Sequence, residues 1–298
     1  MSEKQRSVVV GVDDSPGAET ALQWALADAR RRKAPVRLVH TYQWRYTYGE
    51  IPAYGQPTSY GNDTVTEMRR TKQVAEQLVA IMVDQAREAE PDIEIDGAAI
   101  DGAAISTLLD ESSRAAVLVL GSRHLKTLGS EVLGSVSAAV AARAASPTVV
   151  VRGPAGSGDE EAGVVVGVDG TRGAEALLRF GFEHASRHGT PLRAVLCWHP
   201  DLLATMVWRP EPPAPEKAHA WLSESLAGWR EDYPDVQVHA EVVREHPVDG
   251  LIGASLAQQL LVVGSHGRHA MAGTLLGSVS QGVLHHASCP VAVVPTHD

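Results

Sequence analysis

The sequence predicts an α/β chain built as two tandem, doubly wound domains, each with a five-stranded, mostly parallel sheet flanked by helices. Three observations carry this expectation. The chain repeats itself: SVVVGVDDSPGAETAL (7 to 22) aligns with GVVVGVDGTRGAEALL (163 to 178), which places Gly167 on Gly11, Asp169 on Asp13 and, further on, Pro191 on Pro35. Within each repeat, short β-branched runs alternate with longer amphipathic stretches, the pattern of parallel strands joined by crossover helices. At 298 residues the chain is also long enough for each half to bury a core of its own.

In the first half the apolar runs put strands at 7 to 13, 35 to 42, 93 to 100, 116 to 122 and 147 to 152. The amphipathic stretches between them put helices near 16 to 33, 64 to 89, 103 to 114 and 131 to 145. The second half repeats the series, with strands at 163 to 169, 191 to 198, 236 to 243, 260 to 265 and 290 to 295. Its helices fall near 172 to 188, 214 to 231, 246 to 257 and 274 to 287. VLVLGSRH (117 to 124) meets LLVVGSHG (260 to 267), and the alignment then runs without a gap through LGSVS to Pro147 and Pro290. The first half carries 13 extra residues, all within YQWRYTYGEIPAYGQPTSYGND after its second strand, which reads as a surface loop whose aromatics either pack over the sheet edge or serve as a lid or partner contact. RGPAGSGDEEAG (152 to 163) is Gly-rich, acidic and aperiodic, hence a linker. The expected organisation is domain one at 1 to 152, linker at 153 to 162 and domain two at 163 to 298.

Composition narrows the function. No apolar run approaches the roughly 20 residues that span a bilayer, and MSEKQRSVVVGVD lacks the apolar segment and cleavage site of a secretory leader, so a cytoplasmic protein without a membrane role is expected. A formal net charge of -10 argues against a nucleic-acid partner. The one basic run, Arg30 to Lys33, sits at a helix end, where cations suit the exposed carbonyls, and reads as a solvated terminus. Cys197 and Cys289 lack the paired spacing of a disulfide framework or zinc site. His285 and His286, adjacent on a helix, cannot share one face as an i, i+4 pair does, and read as surface or interface residues.

The chemistry gathers at the carboxyl ends of the first and fourth strands, where doubly wound sheets bind ligands if those strands flank the switch in strand order. Strand one ends in GVDDS or GVDGT, and strand four of domain two runs into VVGSHGRHAMAGTLLGSVSQGV. Gly264, Gly267 and Gly277 would let backbone N–H groups approach an anion, and Ser278 and Ser280 at the start of the next helix add hydroxyls and the positive end of its dipole.

This spacing, Gly264-x2-Gly267-x9-Gly277-Ser278, resembles the nucleotide-binding motif of ATP-binding universal stress proteins, and GVDGTRGA resembles that family's opening segment. The resemblance covers both halves and implies a Rossmann-like fold of the adenine-nucleotide α-hydrolase kind. It implies a protein that binds ATP, with or without Mg, in a regulatory role, and that pairs through its last strands and assembles as a homodimer. Val168 and Asp169 would lie against adenine and ribose, and Cys197 would offer backbone groups to the adenine edge. Val263, Gly264, His266 and Gly267 would line the ribose and first phosphates, with Gly277, Ser278, Val279 and Ser280 around the phosphate tail. The first-half counterparts are Val12, Asp13, Thr41, Leu120, Gly121, Arg123, His124, Gly134, Ser135, Val136 and Ser137. There His124 replaces the second glycine, at a position where a positive φ would suit glycine. Two readings stay open: a weakened site, or one in which Arg123 and His124 contact phosphate through their side chains.

Other nucleotide motifs are absent: there is no Gly-x4-Gly-Lys-Ser/Thr and no Gly-x-Gly-x2-Gly after a first strand. Asp14 has Gly170 as its counterpart, which weakens a two-carboxylate metal mechanism and leaves Asp14 as a turn or cap residue. No catalytic residue and no resident metal are expected. The rival readings are a slow ATPase and an interaction protein whose cradle binds no nucleotide.

Overall fold

The computed structural model describes residues 6–43, 60–124, 131–152, 162–170, 174–198, 215–266 and 276–296, with backbone alone at 60–65, 123–124, 131–132 and 215. The expected surface loop after the second strand and most of the expected linker lie outside these residues.

The first half opens with β1 (Ser7–Gly11), whose three valines are buried, as suits a strand covered on both faces. Helix α1 (Pro16–Arg32) follows, with Ser15 as its N-cap, Pro16 in its first turn and Lys33 closing it in the left-handed conformation at φ 56. Next come β2 (Val36–Tyr42), α2 (Tyr60–Ala89), β3 (Ile95–Asp101), α3 (Ala104–Ser112) and β4 (Ala115–Gly121). Two short strands, β5 (Arg123–His124) and β6 (Glu131–Val132), then precede α4 (Ser135–Ala141) and β7 (Thr148–Val151). The second half runs β8 (Val164–Val168), α5 (Ala174–His188), β9 (Leu192–Cys197), α6 (Pro215–Asp232) and β10 (Val238–Val243). It ends with α7 (Pro247–Ala254), β11 (Leu260–Gly264), α8 (Ser278–His286) and β12 (Val291–Val294).

Ten of these strands form one sheet in the order β10-β9-β8-β11-β12-β7-β4-β1-β2-β3, and β5 and β6 pair as a separate two-stranded sheet. Each half contributes five parallel strands, and its first and fourth strands are neighbours, so the chain reverses its direction of winding between β1 and β4 and again between β8 and β11. The halves meet where β12 pairs antiparallel with β7, Val291 opposite Val150, Ala292 opposite Val149 and Val293 opposite Thr148.

Helices α1, α2, α5 and α6 cover one face of the sheet, and a single hydrophobic core runs beneath all four, from Leu38 and Val83 through Val149 and Ala292 to Phe182 and Leu226. On the other face Val150, Val291 and Val293 pack with Ala141 of α4 and with Leu251, Val283 and Leu284 of α7 and α8. Arg152, buried just after β7, donates from Nη1 to the carbonyl of Leu284 in the second half. Both faces of the seam are therefore closed by apolar contact. Among the described residues no helix is long and apolar enough to cross a membrane.

Three expectations change. The stretch expected as one helix from 131 to 145 begins as β6, paired with β5 through Arg123–Val132 and His124–Glu131, and its helix spans only Ser135–Ala141. The helix cap is Ser15, not Asp14: Asp13 Oδ1 accepts from the Ser15 N–H at 3.1 Å, and Ser15 Oγ accepts from the Ala18 N–H at 3.2 Å. The basic run is not a solvated helix end throughout. Arg32 is bonded to the buried Asp28 and its guanidinium lies 5.9 Å from the ring centre of Phe180, while Arg31 reaches the Arg187 and His188 carbonyls at 3.5 Å. It forms part of the contact between α1 and α5.

Candidate functional site

The carboxyl edge between β8 and β11 gathers most of the residues expected in domain two. Val168 ends β8, Gly264 ends β11, and Cys197 ends β9 on the far side of β8. After Gly264 the chain is knotted in place. The Ser265 N–H donates to the Val294 carbonyl at 2.8 Å, the His266 N–H to Thr296 Oγ1 at 3.1 Å and the Thr296 hydroxyl to the His266 carbonyl at 3.2 Å. The Gly277 N–H closes the loop by donating to the Ser265 carbonyl at 2.9 Å, and the Ser280 hydroxyl donates to the Gly264 carbonyl. These bonds hold the start of α8 against the end of β11.

They also decide which donors remain for a ligand. The Gly277 and His266 amides and the Ser280 hydroxyl are engaged within the fold. The amides of Ser278, Val279 and Ser280 belong to the first helical turn, where no intrahelical carbonyl is available, and the Ser278 hydroxyl sits beside them. Gly277, the N-cap, has no side chain with which to cap them. Helix α1 is capped by Ser15 and α7 by the His246 ring, while α3 after Ala103 and α4 after Gly134, like α8, have no side-chain cap. Gly277 has φ -64 and ψ 148, open to any residue, and an added Cβ would meet nothing closer than 3.5 Å. Nothing in the fold itself demands glycine there.

The apolar members of the set bury their side chains in the fold. Val12, Leu120, Val168 and Val263 are buried in the cores, and Val136 and Val279 pack against them. Burial pushes the Cys197 thiol up to about 11, with the Glu245 and Glu241 charges adding to the shift, so it is an unreactive thiol. Asp169 is half-buried beside Val168.

The first half repeats this scaffold: the Ser137 hydroxyl donates to the Gly121 carbonyl at 2.9 Å, and Gly134 is the N-cap of α4. Asp13 is exposed, with one carboxylate oxygen engaged by Ser15, and Thr41 is half-buried near the end of β2. Gly121 is required by packing, because a Cβ there would lie 2.3 Å from the Gly17 carbonyl oxygen. His124 lies in the extended backbone of β5, so the expected positive φ is not needed and histidine is tolerated without backbone strain. Gly267 and the side chains of Arg123 and His124 lie outside the described residues.

The fold and its duplication recur in known proteins. The model of the Universal stress protein family matches residues 5–152 and again 163–295. The chain belongs to the universal stress protein family. A universal stress protein of Mycobacterium tuberculosis is 35% identical over 295 residues, 97% of each chain. One of Mycolicibacterium smegmatis is 33% identical over 304 residues, covering 98% of each. The crystal structure of a universal stress protein from Archaeoglobus fulgidus shares the fold over 99% of this chain and 98% of its own, at 18% identity and a TM-score of 0.69. The chain is thus a tandem of two universal stress protein domains.

One cluster was missed by the sequence reading. Asp28 of α1 and His184 and His188 of α5 place one ligand-type atom each within 4.8 Å of one another at the seam between the halves. The signal was in FEHASRH, where His184 and His188 stand at i, i+4, the spacing denied to His285 and His286. Their carboxylate partner comes from the other half and has no local signature.

Proposed function

We propose that the second half binds an adenine nucleotide, ATP or a close relative, at the carboxyl edge between β8 and β11, and that binding serves regulation rather than catalysis. The observation that carries this reading is the uncapped start of α8, held at the switch in strand order behind a glycine that packing does not require. Three first-turn amides, a hydroxyl and the helix dipole form a donor set suited to phosphate oxygens. Val168 and Asp169 on one side and the Cys197 backbone on the other would take the nucleoside.

The regulatory reading rests on what phosphoryl transfer requires. A catalyst needs a positioned base and a cation on the transferring group. At the second-half site the counterpart of Asp14 is Gly170, so the acidic pair of the first half is reduced there to Asp169, which this reading places against the ribose. Mg would enter with the phosphates of ATP, and the proposal does not depend on it.

The test is calorimetry of the full chain with ATP, paired with identification of any nucleotide released from freshly purified protein. Gly277→Glu should abolish second-half binding, because its carboxylate occupies and repels the phosphate position. Intact ATP should be recovered from the unaltered chain. Unchanged stoichiometry and affinity in Gly277→Glu would overturn the site, and steady phosphate release at one turnover after another would overturn the regulatory reading.

A further inference from the structure

The seam between the halves holds a polar cluster that the nucleotide site does not use. Asp28 is fully buried in α1, and one of its oxygens, Oδ2, is bonded by Arg32 Nε one turn later. Its other oxygen, Oδ1, faces α5, with His188 Nε2 at 3.3 Å and His184 Nδ1 at 3.6 Å. His184 is 2% exposed, and its Nδ1 has no hydrogen-bond partner. A buried polar atom without a partner costs free energy on the order of 1–3 kcal/mol and calls for an explanation. A proton shared between His188 and Asp28 satisfies that pair and still leaves His184 Nδ1 unanswered. A cation that takes lone pairs from all three residues answers it.

We propose that this seam binds a divalent transition-metal ion, zinc being the best chemical fit, through Asp28 of the first half and His184 and His188 of the second. Two atoms bound at about 2.0–2.1 Å to a tetrahedral zinc lie roughly 3.3–3.4 Å apart. The Asp28 oxygen stands 3.3 and 3.6 Å from its two imidazole partners, close to that spacing. Two histidines at i, i+4 with a carboxylate from another element form a familiar three-ligand set, leaving a fourth position for water. Arg32 orients the carboxylate from its far oxygen, as hydrogen bonds to ligating carboxylates do elsewhere.

Two features limit the site. The imidazole rings are nearly parallel, 3.9 Å between centroids, so ligation requires the His188 ring to turn about its Cβ–Cγ bond. Its side chain is 13% exposed, against 3% for His184 and 0% for Asp28, so His188 is the member of the set in reach of solvent. Arg32 and Arg187 add positive charge, offset by Asp28 and by Glu183, which pairs with Arg187 at 2.5 Å. The site is therefore weaker than a closed thiolate site, and it favours metals high in the imidazole affinity series.

The full chain, stripped with EDTA and separated from the chelator, is titrated with Co2+ and then Zn2+. One equivalent of cobalt should bind and give the intense visible bands of tetrahedral coordination, and one equivalent of zinc should bleach them. Zinc should also raise the melting temperature in a saturable way. His188→Gln should weaken binding about tenfold or more, while the double variant His285→Gln/His286→Gln should leave it unchanged. The absence of tetrahedral bands, binding that survives His188→Gln, or binding lost in the double variant would each overturn the proposal. Where His188→Gln fails to fold, the cobalt spectrum of the unaltered chain still decides the matter.

Discussion

A Cβ on Gly121 would lie 2.3 Å from the Gly17 carbonyl oxygen, and one on Gly17 would lie 2.1 Å from that of Ser122. Backbone meets backbone there, and neither side can yield without moving α1 off β4. Gly121→Ala should therefore cost about 1–3 kcal/mol, the range of overpacking. Gly277→Ala, with ordinary contacts awaiting its methyl, should cost less than about 1 kcal/mol, the preference of an N-cap for glycine over alanine. Urea midpoints of the two variants separate a glycine kept for the fold from one kept for a ligand. The cysteines give a second residue-scale prediction. Burial first, then nearby carboxylates at Cys197, pushes both thiols from 9.0 to about 11. The unfolded chain thus releases these protons at lower pH than the folded one. The resulting stability is fully present below pH 9 and is lost as pH rises toward 11. A Cys197→Ala/Cys289→Ala variant should show a shallower alkaline decline in urea midpoint than its parent; parallel declines would show that the thiols do not matter.

At the scale of elements, the duplicated helix ends offer an internal comparison. Helix α1 closes with Lys33 at φ 56, while the chain after α5 turns through Gly189 at φ 64. A side chain in this left-handed region costs about 1–2 kcal/mol, and glycine escapes most of that. Nothing lies within 4 Å of a Cβ at Gly189, so Gly189→Lys should destabilise by about 1 kcal/mol through conformation alone, measurable by urea denaturation. The short strands β7 and β12 carry more. Val150 and Val293 are buried at the seam, and β7 and β12 would be exposed apolar edges if they stood apart. Val150→Asp or Val293→Asp should either unfold the chain or separate its halves in small-angle scattering. An unchanged radius and melting temperature would contradict the pairing. The same pairing means that a homodimer of whole chains would have to use another face.

The molecule as a whole has one sheet and, on the side of α1, α2, α5 and α6, one continuous core shared by both halves. Neither half can open there without exposing apolar surface of the other. Heat should thus unfold the chain in a single transition, with calorimetric and van't Hoff enthalpies in agreement. Two resolved transitions would show that the halves are energetically separate beads. Binding at α8 bears on this unit too, since α8 packs beside Val291 and Val293 of the seam strand and its Leu284 carbonyl accepts from Arg152 of the first half.

The sequence by itself determined the repeat, the alternation of strands and helices, and the position of the candidate cradle, because these are written in local periodicity and in short motifs such as GSVS. Lone features below that resolution escaped it. Two-residue strands such as β5 and β6 have no period, and the alanine-rich run after Ser135 favours helix beyond Ala141, where the chain instead turns toward β7. The basic run at the end of α1 looked solvated because its partners, Phe180 and the carbonyls of Arg187 and His188, belong to the other half. Only the tertiary structure decided that the two halves share a core and that Asp28 faces His188 across 160 residues of chain, whereas the meeting of β7 and β12 was expected from the family resemblance alone. Local sequence sets which face of an element is apolar; which surface covers that face depends on how the two halves dock, and no local pattern encodes it.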